Sequence, residues 1–310
     1  MQRKTADMNL DAEPDAGETM GRADGDGSPD KSQRDGRGTE RDDGGDALVL
    51  RVGYDGAGFS GFASQEGQPH VRTVSGELAR ALLVLLRRPV ELTCAGRTDA
   101  GVHARAQYVS LPMTARESAE LSGRRLLRSL SAVLPEDVSV DAVLRAAPGF
   151  SARFDAQARE YRYRLICSSA RPLFCRQWAW WLRGEEPLCV EAMRAGAAEL
   201  IGEHDFKSFC KTASAEGKPT HRFVEAIDFF EEEQLGERQL VMRIVGNAFL
   251  HNMVRTIMGT LVEVGRGQRD PGWVRDVLAA CDRRAAGPCA PACGLTFWAV
   301  RYDEGALRPW

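Results

Sequence analysis

After residue 46 the apolar positions of this chain change period repeatedly, and each change marks an element. Leu48, Val49, Leu50 and Val52 form a short apolar run that reads as a buried strand leading into a glycine-rich loop, Gly53 to Gly61. Val74, Leu78, Ala81, Leu82 and Leu85 keep the spacing of one helix stripe, which Pro89 stops. Val90 to Cys94 and Gln107 to Leu111 are expected as strands. A helix marked by Leu126, Leu127, Leu130, Val133 and Leu134 follows, and a strand is complete by about Leu144. The alternation then repeats with different sequence. Glu160 to Ile166 puts Tyr161, Tyr163 and Leu165 on one face and Arg162, Arg164 and Ile166 on the other, the period of a half-buried strand. Val190, Met193, Ala197, Leu200 and Ile201 mark a helix, and Phe223 to Phe230 with Leu240 to Val245 reads as a hairpin around the polar turn Glu231 to Gly236. A helix from His251 to Val264 and a strand near Leu295 to Tyr302 close the pattern. The expected fold class is α+β: two similar units, 47–150 and 151–310, each a mostly antiparallel sheet flanked by helices, with an active-site cleft between them.

Residues 1–46 stand outside this pattern. They contain no Phe, Trp, Tyr, Ile or Val, are rich in Asp and Gly, and are expected to form a disordered acidic tail. The tail changes the meaning of the net charge. The whole chain carries 41 basic and 44 acidic side chains, a net of −3 that argues against a polyanionic partner. The tail alone holds 7 basic and 13 acidic residues, so residues 47–310 hold 34 and 31, a net of +3. Of those 34 cations 31 are Arg, which suits bidentate phosphate contacts, although a biased genome produces the same enrichment.

Other classes fall away more simply. The longest aliphatic stretch, Ala81 to Leu86, is far below the roughly 20 residues that span a bilayer. The acidic, apolar-poor opening is no secretory signal, and a cytoplasmic location is expected. Eight cysteines include no CxxC pair, Cys289 and Cys293 being the closest, so ordinary reduced thiols and no metal site are expected.

Two loops carry candidate chemistry. Gly56 to Gly61 is a formal GxGxxG, but a dinucleotide site needs its third glycine to open a helix, with an acid near the end of the next strand. Here the helix starts near Thr73 and Glu77 lies inside it, so a turn or a close backbone approach is expected in place of a cofactor-dependent oxidoreductase. The second loop, Ala95 to Ala104, surrounds Asp99 with small residues and sets Arg97 and His103 nearby. From spacing alone, Asp99 is equally a reacting carboxylate and the organiser of a turn.

The segment Gly96-Arg97-Thr98-Asp99-Ala100-Gly101-Val102-His103 resembles the catalytic motif of tRNA pseudouridine synthases of the TruA type. The resemblance extends through Tyr54-Asp55-Gly56, Arg159 to Tyr163, His204-Asp205-Phe206, Phe249 to Arg255 and Gly294-Leu295, in that family's order. It implies isomerisation of uridine to pseudouridine in the anticodon stem-loop of tRNA, typically at positions 38, 39 and 40, with no metal and no cofactor. It also implies a homodimer in which each tRNA meets both subunits. By the same resemblance Asp99 is the catalytic carboxylate, Arg255 its cationic partner and Tyr161 the ring that stacks on the uracil. Arg97 helps hold the nucleotide out of the stem, and Leu295 walls the base pocket. His103 and His251 are left outside the catalytic set.

The chain departs from the family pattern at Phe62 to Gln65 and at Cys289 to Cys293. The alternative function on the same scaffold is a non-catalytic RNA-binding protein, against which the joint presence of Asp99, Tyr161 and Arg255 argues. Arg97 and Arg255 are expected inside the cleft, with further arginines around its mouth. Because the tail repels phosphate, deleting residues 1–46 is expected to preserve activity and leave tRNA affinity equal or higher at low salt. Parallel filter-binding and pseudouridine assays check this, and a large loss of activity would show that the tail contributes.

Overall fold

The computed structural model describes residues 44–64, 70–184 and 186–310; the tail expectation for 1–43 and the departure at Gln65 lie outside them. Eleven strands and seven helices follow in the order β1 (Ala47–Tyr54), α1 (Val74–Leu86), β2 (Thr93–Cys94), β3 (His103–Pro112), α2 (Ala115–Glu120), α3 (Gly123–Val133), β4 (Val138–Ala146), β5 (Ala158–Ser168), β6 (Trp180–Arg183), α4 (Val190–Ala198), β7 (Gly202–Asp205), α5 (Thr212–Ala215), β8 (His221–Gln234), β9 (Glu237–Gly246), α6 (Met253–Gly265), α7 (Trp273–Ala280), β10 (Leu295–Arg301) and β11 (Arg308–Pro309).

One sheet takes up all the strands, in the order β11-β4-β1-β3-β10-β5-β9-β8-β7, with β2 added beside β3 and β6 beside β5. Its pairings are antiparallel except β10 with β3 and β5 with β6. The α+β class expected from the alternating periods is what the chain adopts. Alternation along the strands decides which face meets the helices. Leu48, Leu50 and Val52 of β1 and Tyr163 and Leu165 of β5 join one continuous core with Leu78, Leu82, Leu130, Met193 and Ile257 from the helices. Ala47 and Val49 point the other way, into a small cluster with Ala146.

Several elements differ from the expectation for identifiable reasons. Glu231 to Gln234 belong to β8, because Glu231, Glu232 and Glu233 pair in register with Leu240, Gln239 and Arg238. The turn is only Leu235-Gly236, both at positive φ (52° and 79°), the two-residue hairpin geometry that matches strand twist. Two of those glutamates meet arginines: Glu232 reaches Arg162 at 3.2 Å and Arg164 at 3.5 Å, and Glu231 reaches Arg238 at 3.3 Å. Helix α4 stops at Ala198, so Leu200 is buried beyond its end, Ile201 is exposed, and Gly202 (φ 109°) turns the chain into β7. Of Val90 to Cys94 only the last two residues pair.

Helix α6 is buried almost all round and lies tight against the segment before β10. A Cβ on Gly259 would sit 1.8 Å from the Pro288 carbonyl oxygen. Thr260 Oγ1 accepts from Gly287 N at 3.0 Å, and Ala290 N donates to the Arg255 carbonyl at 3.1 Å. Gly259→Ala must therefore push helix and segment apart. It is expected to destabilise the protein by at least about 1–3 kcal/mol, read as a lower urea midpoint, and to lower activity because Arg255 sits on the same helix.

Candidate active site

The loop between β2 and β3 is held from several directions at once. Gln107, fully buried on β3, donates through Nε2 to the Gly96 carbonyl at 2.6 Å and accepts from Gly96 N at 3.4 Å. The Tyr54 hydroxyl, at the end of β1, bonds Thr98 Oγ1 at 2.7 Å. Phe62 N donates to the Thr98 carbonyl at 3.1 Å and Gly101 N to the Phe59 carbonyl at 3.3 Å. Two glycines of the formal GxGxxG, Gly56 and Gly61, thus pack onto this loop. A Cβ on Gly56 would lie 2.1 Å from the Val102 carbonyl oxygen, and one on Gly61 (φ +108°) 3.0 Å from that of Thr98. Their close backbone approach is to the Asp99 loop, and the next helix begins only at Val74.

Parallel pairing of β10 with β3, Thr296 beside His103 and Phe297 beside Ala104, brings the chain's last third against this loop. Leu295 therefore starts its strand at the cleft, 5 % exposed. In turn β10 pairs with β5, setting Phe297 opposite Tyr161. Tyr161 is 7 % exposed and is met edge-on by Phe249 at 5.2 Å and Phe297 at 5.0 Å; burial pushes its phenol pKa well up. Asp99, Arg97, Tyr161, Arg255 and Leu295 all line one cleft of about 1080 Å³.

The two oxygens of Asp99, a residue whose side chain is 24 % exposed, face different cations or donors. Oδ2 lies 3.6 Å from Arg255 Nη1, and Oδ1 lies 3.3 Å from His251 Nε2. Arg255 is itself aimed: Nε donates to the Ala290 carbonyl at 2.8 Å and Nη1 to Asn252 Oδ1 at 3.0 Å. Asn252 precedes α6 in the left-handed region (φ 65°) and makes no side-chain cap bond. Its amide oxygen serves Arg255 in place of the helix end.

Cations dominate the remaining walls. Arg97, Arg153, Arg159, Lys218, Arg222 and Arg255 line the cleft, and Asp99 is the only carboxylate among the described lining residues. Of these six, among the described residues, Arg255 alone has a carboxylate within ion-pair distance, and that carboxylate is Asp99. Arg159 is the most enclosed. It donates to the carbonyls of Ala95, Arg153, Ala156 and Asn247, and burial lowers its pKa. It thereby ties the start of the Asp99 loop to the segment after β9. Arg97, expected inside the cleft, lines it but is exposed.

A family described as tRNA pseudouridine synthase matches residues 197–303. The tRNA pseudouridine synthase A of Methylococcus capsulatus is 42% identical over 261 residues, 83% of this chain and 90% of that protein. Those of Brevibacillus brevis and Moorella thermoacetica are 41% and 39% identical, covering 81% and 82% of this chain and 97% and 99% of theirs. The chain belongs to the tRNA pseudouridine synthase A family.

Within this family member, the cleft gathers the five site residues singled out in the sequence, and His251 and Arg159 line it beside them. His251, left outside the catalytic set in the sequence, lies 3.3 Å from the Asp99 carboxylate. Gln107, Tyr54 and Arg159 hold the loop; the signal for Gln107 was an amide inside an apolar strand, and for the other two their place in the family motifs. His103 is 3 % exposed, and its Nδ1 accepts from Gly56 N at 3.1 Å, so it braces the glycine loop outside the cleft. Phe62, at one departure from the family pattern, is buried against Tyr54 with ring centroids 6.2 Å apart. Cys289 and Cys293, at the other, are free thiols that do not line the cleft.

Gln107→Leu would leave both polar groups of Gly96 without their partner, at about 1–3 kcal/mol for each group that stays buried. It is expected to lower the single-turnover rate roughly tenfold to a hundredfold by loosening the loop, while changing tRNA affinity little. Rapid-quench kinetics beside a binding titration separate the two.

Proposed function

We propose that this enzyme, which isomerises uridine to pseudouridine in tRNA, acts on the anticodon stem-loop at uridines 38, 39 and 40 with Asp99 as the reacting carboxylate. The observation that carries the reading is a cleft whose described lining holds six cations and one carboxylate, with one cation and one imidazole set on that carboxylate's two oxygens. A polyanion is attracted to such a cleft, and an ionised Asp99 is compensated as water leaves.

The chemistry asks little else of the protein. The N1 to C1′ bond breaks, the uracil turns while held, C5 joins C1′, and the C5 proton leaves while N1 gains one. All atoms of the product come from the substrate, so the reaction balances without oxidant, reductant or second substrate. Asp99 can attack C1′ or the base, or take a sugar proton to give a glycal; each route needs one ionised carboxylate beside the nucleotide. Arg255 supports that charge. Tyr161 and Leu295 take the two sides of the base, where stacking is worth about 1–3 kcal/mol. Arg97 at the mouth holds the nucleotide out of the stem, offsetting an extrusion cost of a few kcal/mol.

The same reading takes 47–150 and 151–310 as two units whose seam carries the site, acting as a homodimer in the cytoplasm. No helix among the described residues is long and apolar enough to cross a membrane. Asp99→Asn is expected to abolish pseudouridine formation on an anticodon-stem transcript while leaving tRNA affinity largely intact. Normal-rate product from that variant would refute the assignment.

A further inference from the structure

We infer that His251 is a positioning residue for Asp99, and that Ser214 sets the tautomer in which it works. The inference rests on Asp99 being the reacting carboxylate and assigns its second oxygen a fixed partner. His251 Nε2 lies 3.3 Å from Asp99 Oδ1, and its Nδ1 lies 2.9 Å from Ser214 Oγ. A neutral imidazole carries one N–H, and its site is decided by what the other nitrogen does. Facing an ionised carboxylate, Nε2 must hold the proton, so Nδ1 accepts and the Ser214 hydroxyl donates. The other tautomer would set the Nε2 lone pair against the Asp99 anion.

The backbone reinforces this arrangement. Lys211 N donates to the His251 carbonyl at 3.1 Å, so the α5 segment that carries Ser214 is fastened to the turn that carries His251. Asn252 follows at positive φ, which separates the two neighbours: His251 turns to Oδ1 while Arg255, one turn into α6, reaches Oδ2. With its two oxygens engaged by different residues, rotation of the carboxylate about its own axis is restrained. A reacting oxygen is then presented in one orientation. The 3.3 Å contact is longer than a good hydrogen bond, and such contacts in a substrate-free site shorten when substrate closes it. Ser214 and Lys218 line the same cleft, so RNA seated there rests on the segment that holds the imidazole.

Side-chain amides test this, because Gln places its N–H near the position of Nε2 and Asn near that of Nδ1. His251→Gln is expected to retain the single-turnover rate within about threefold. His251→Asn is expected to lose roughly tenfold to a hundredfold, with tRNA Kd unchanged in both. Ser214→Ala should slow single turnover several-fold in the wild-type background and change nothing further in His251→Phe, the non-additivity of a coupled pair. An Asn variant as fast as or faster than the Gln variant, a loss confined to tRNA affinity, or additive Ser214 and His251 effects would overturn the inference. Asp99→Asn, run beside them, separates the two levels. If it is active the reading of Asp99 falls; if it is inactive while the His251 variants match one another, only the positioning role falls.

Discussion

The site depends on two residues of parallel ladder, Thr296 beside His103 and Phe297 beside Ala104. Among the described residues, this short pairing is the one link in the strand order between the first four strands and β5 with its neighbours. It aligns the start of β10 with the end of the Asp99 loop, and its antiparallel partner β5 then places Tyr161. Without that register, the loop with Asp99 and the helix with Arg255 would have no fixed relation. Arg159 reinforces the same seam through the carbonyls of Ala95 and Asn247, a buried cation held entirely by backbone oxygens.

Electrostatics follow from how the arginines are spent. Outside the cleft many are neutralised: Arg72 by Asp137 and Glu77, Arg88 by Glu117, Arg301 by Glu225, and Arg162 and Arg243 by Glu160. The cleft cations other than Arg255 lack such partners among the described residues. The net charge of +3 over residues 47–310 therefore understates the local field, which depends on where carboxylates are missing. The same uneven pairing explains why a mildly acidic chain belongs to a family that acts on RNA.

Strength and precision are separated in this site. Backbone packing at Gly56, Gly61, Gly259 and Gly287 allows loops and helix α6 to approach more closely than side chains would permit. Hydrogen bonds from Tyr54, Gln107 and Asn252 then orient what that packing has brought near. Each is a residue distant in sequence from the group it holds or, for Asn252, one that gives up a helix cap to hold it.

The alternating periods of Leu48 to Val52 and Glu160 to Ile166 and the helix stripe at Val74 to Leu85 were enough to place the main strands and helices, because burial of one face dictates those patterns. Asp99, Arg97, Tyr161, Arg255 and Leu295 were legible only through motifs, since spacing alone left Asp99 balanced between reaction and turn. Short elements such as β6, β7, α2, α5 and α7 carry too few residues for a period, and the polar end of β8 looked like a turn because its arginine partners lie on other strands. What the chain by itself determined is local: periodicity, glycine positions and the identity of the chemical groups. Tertiary structure alone decided that His251 meets Asp99, that Gly56 and Gly61 pack on the Asp99 loop and that, among the described residues, six cations share a cleft with one carboxylate. Those contacts join residues scores of positions apart, and the order of strands in the sheet, which no local pattern encodes, is what brings them together.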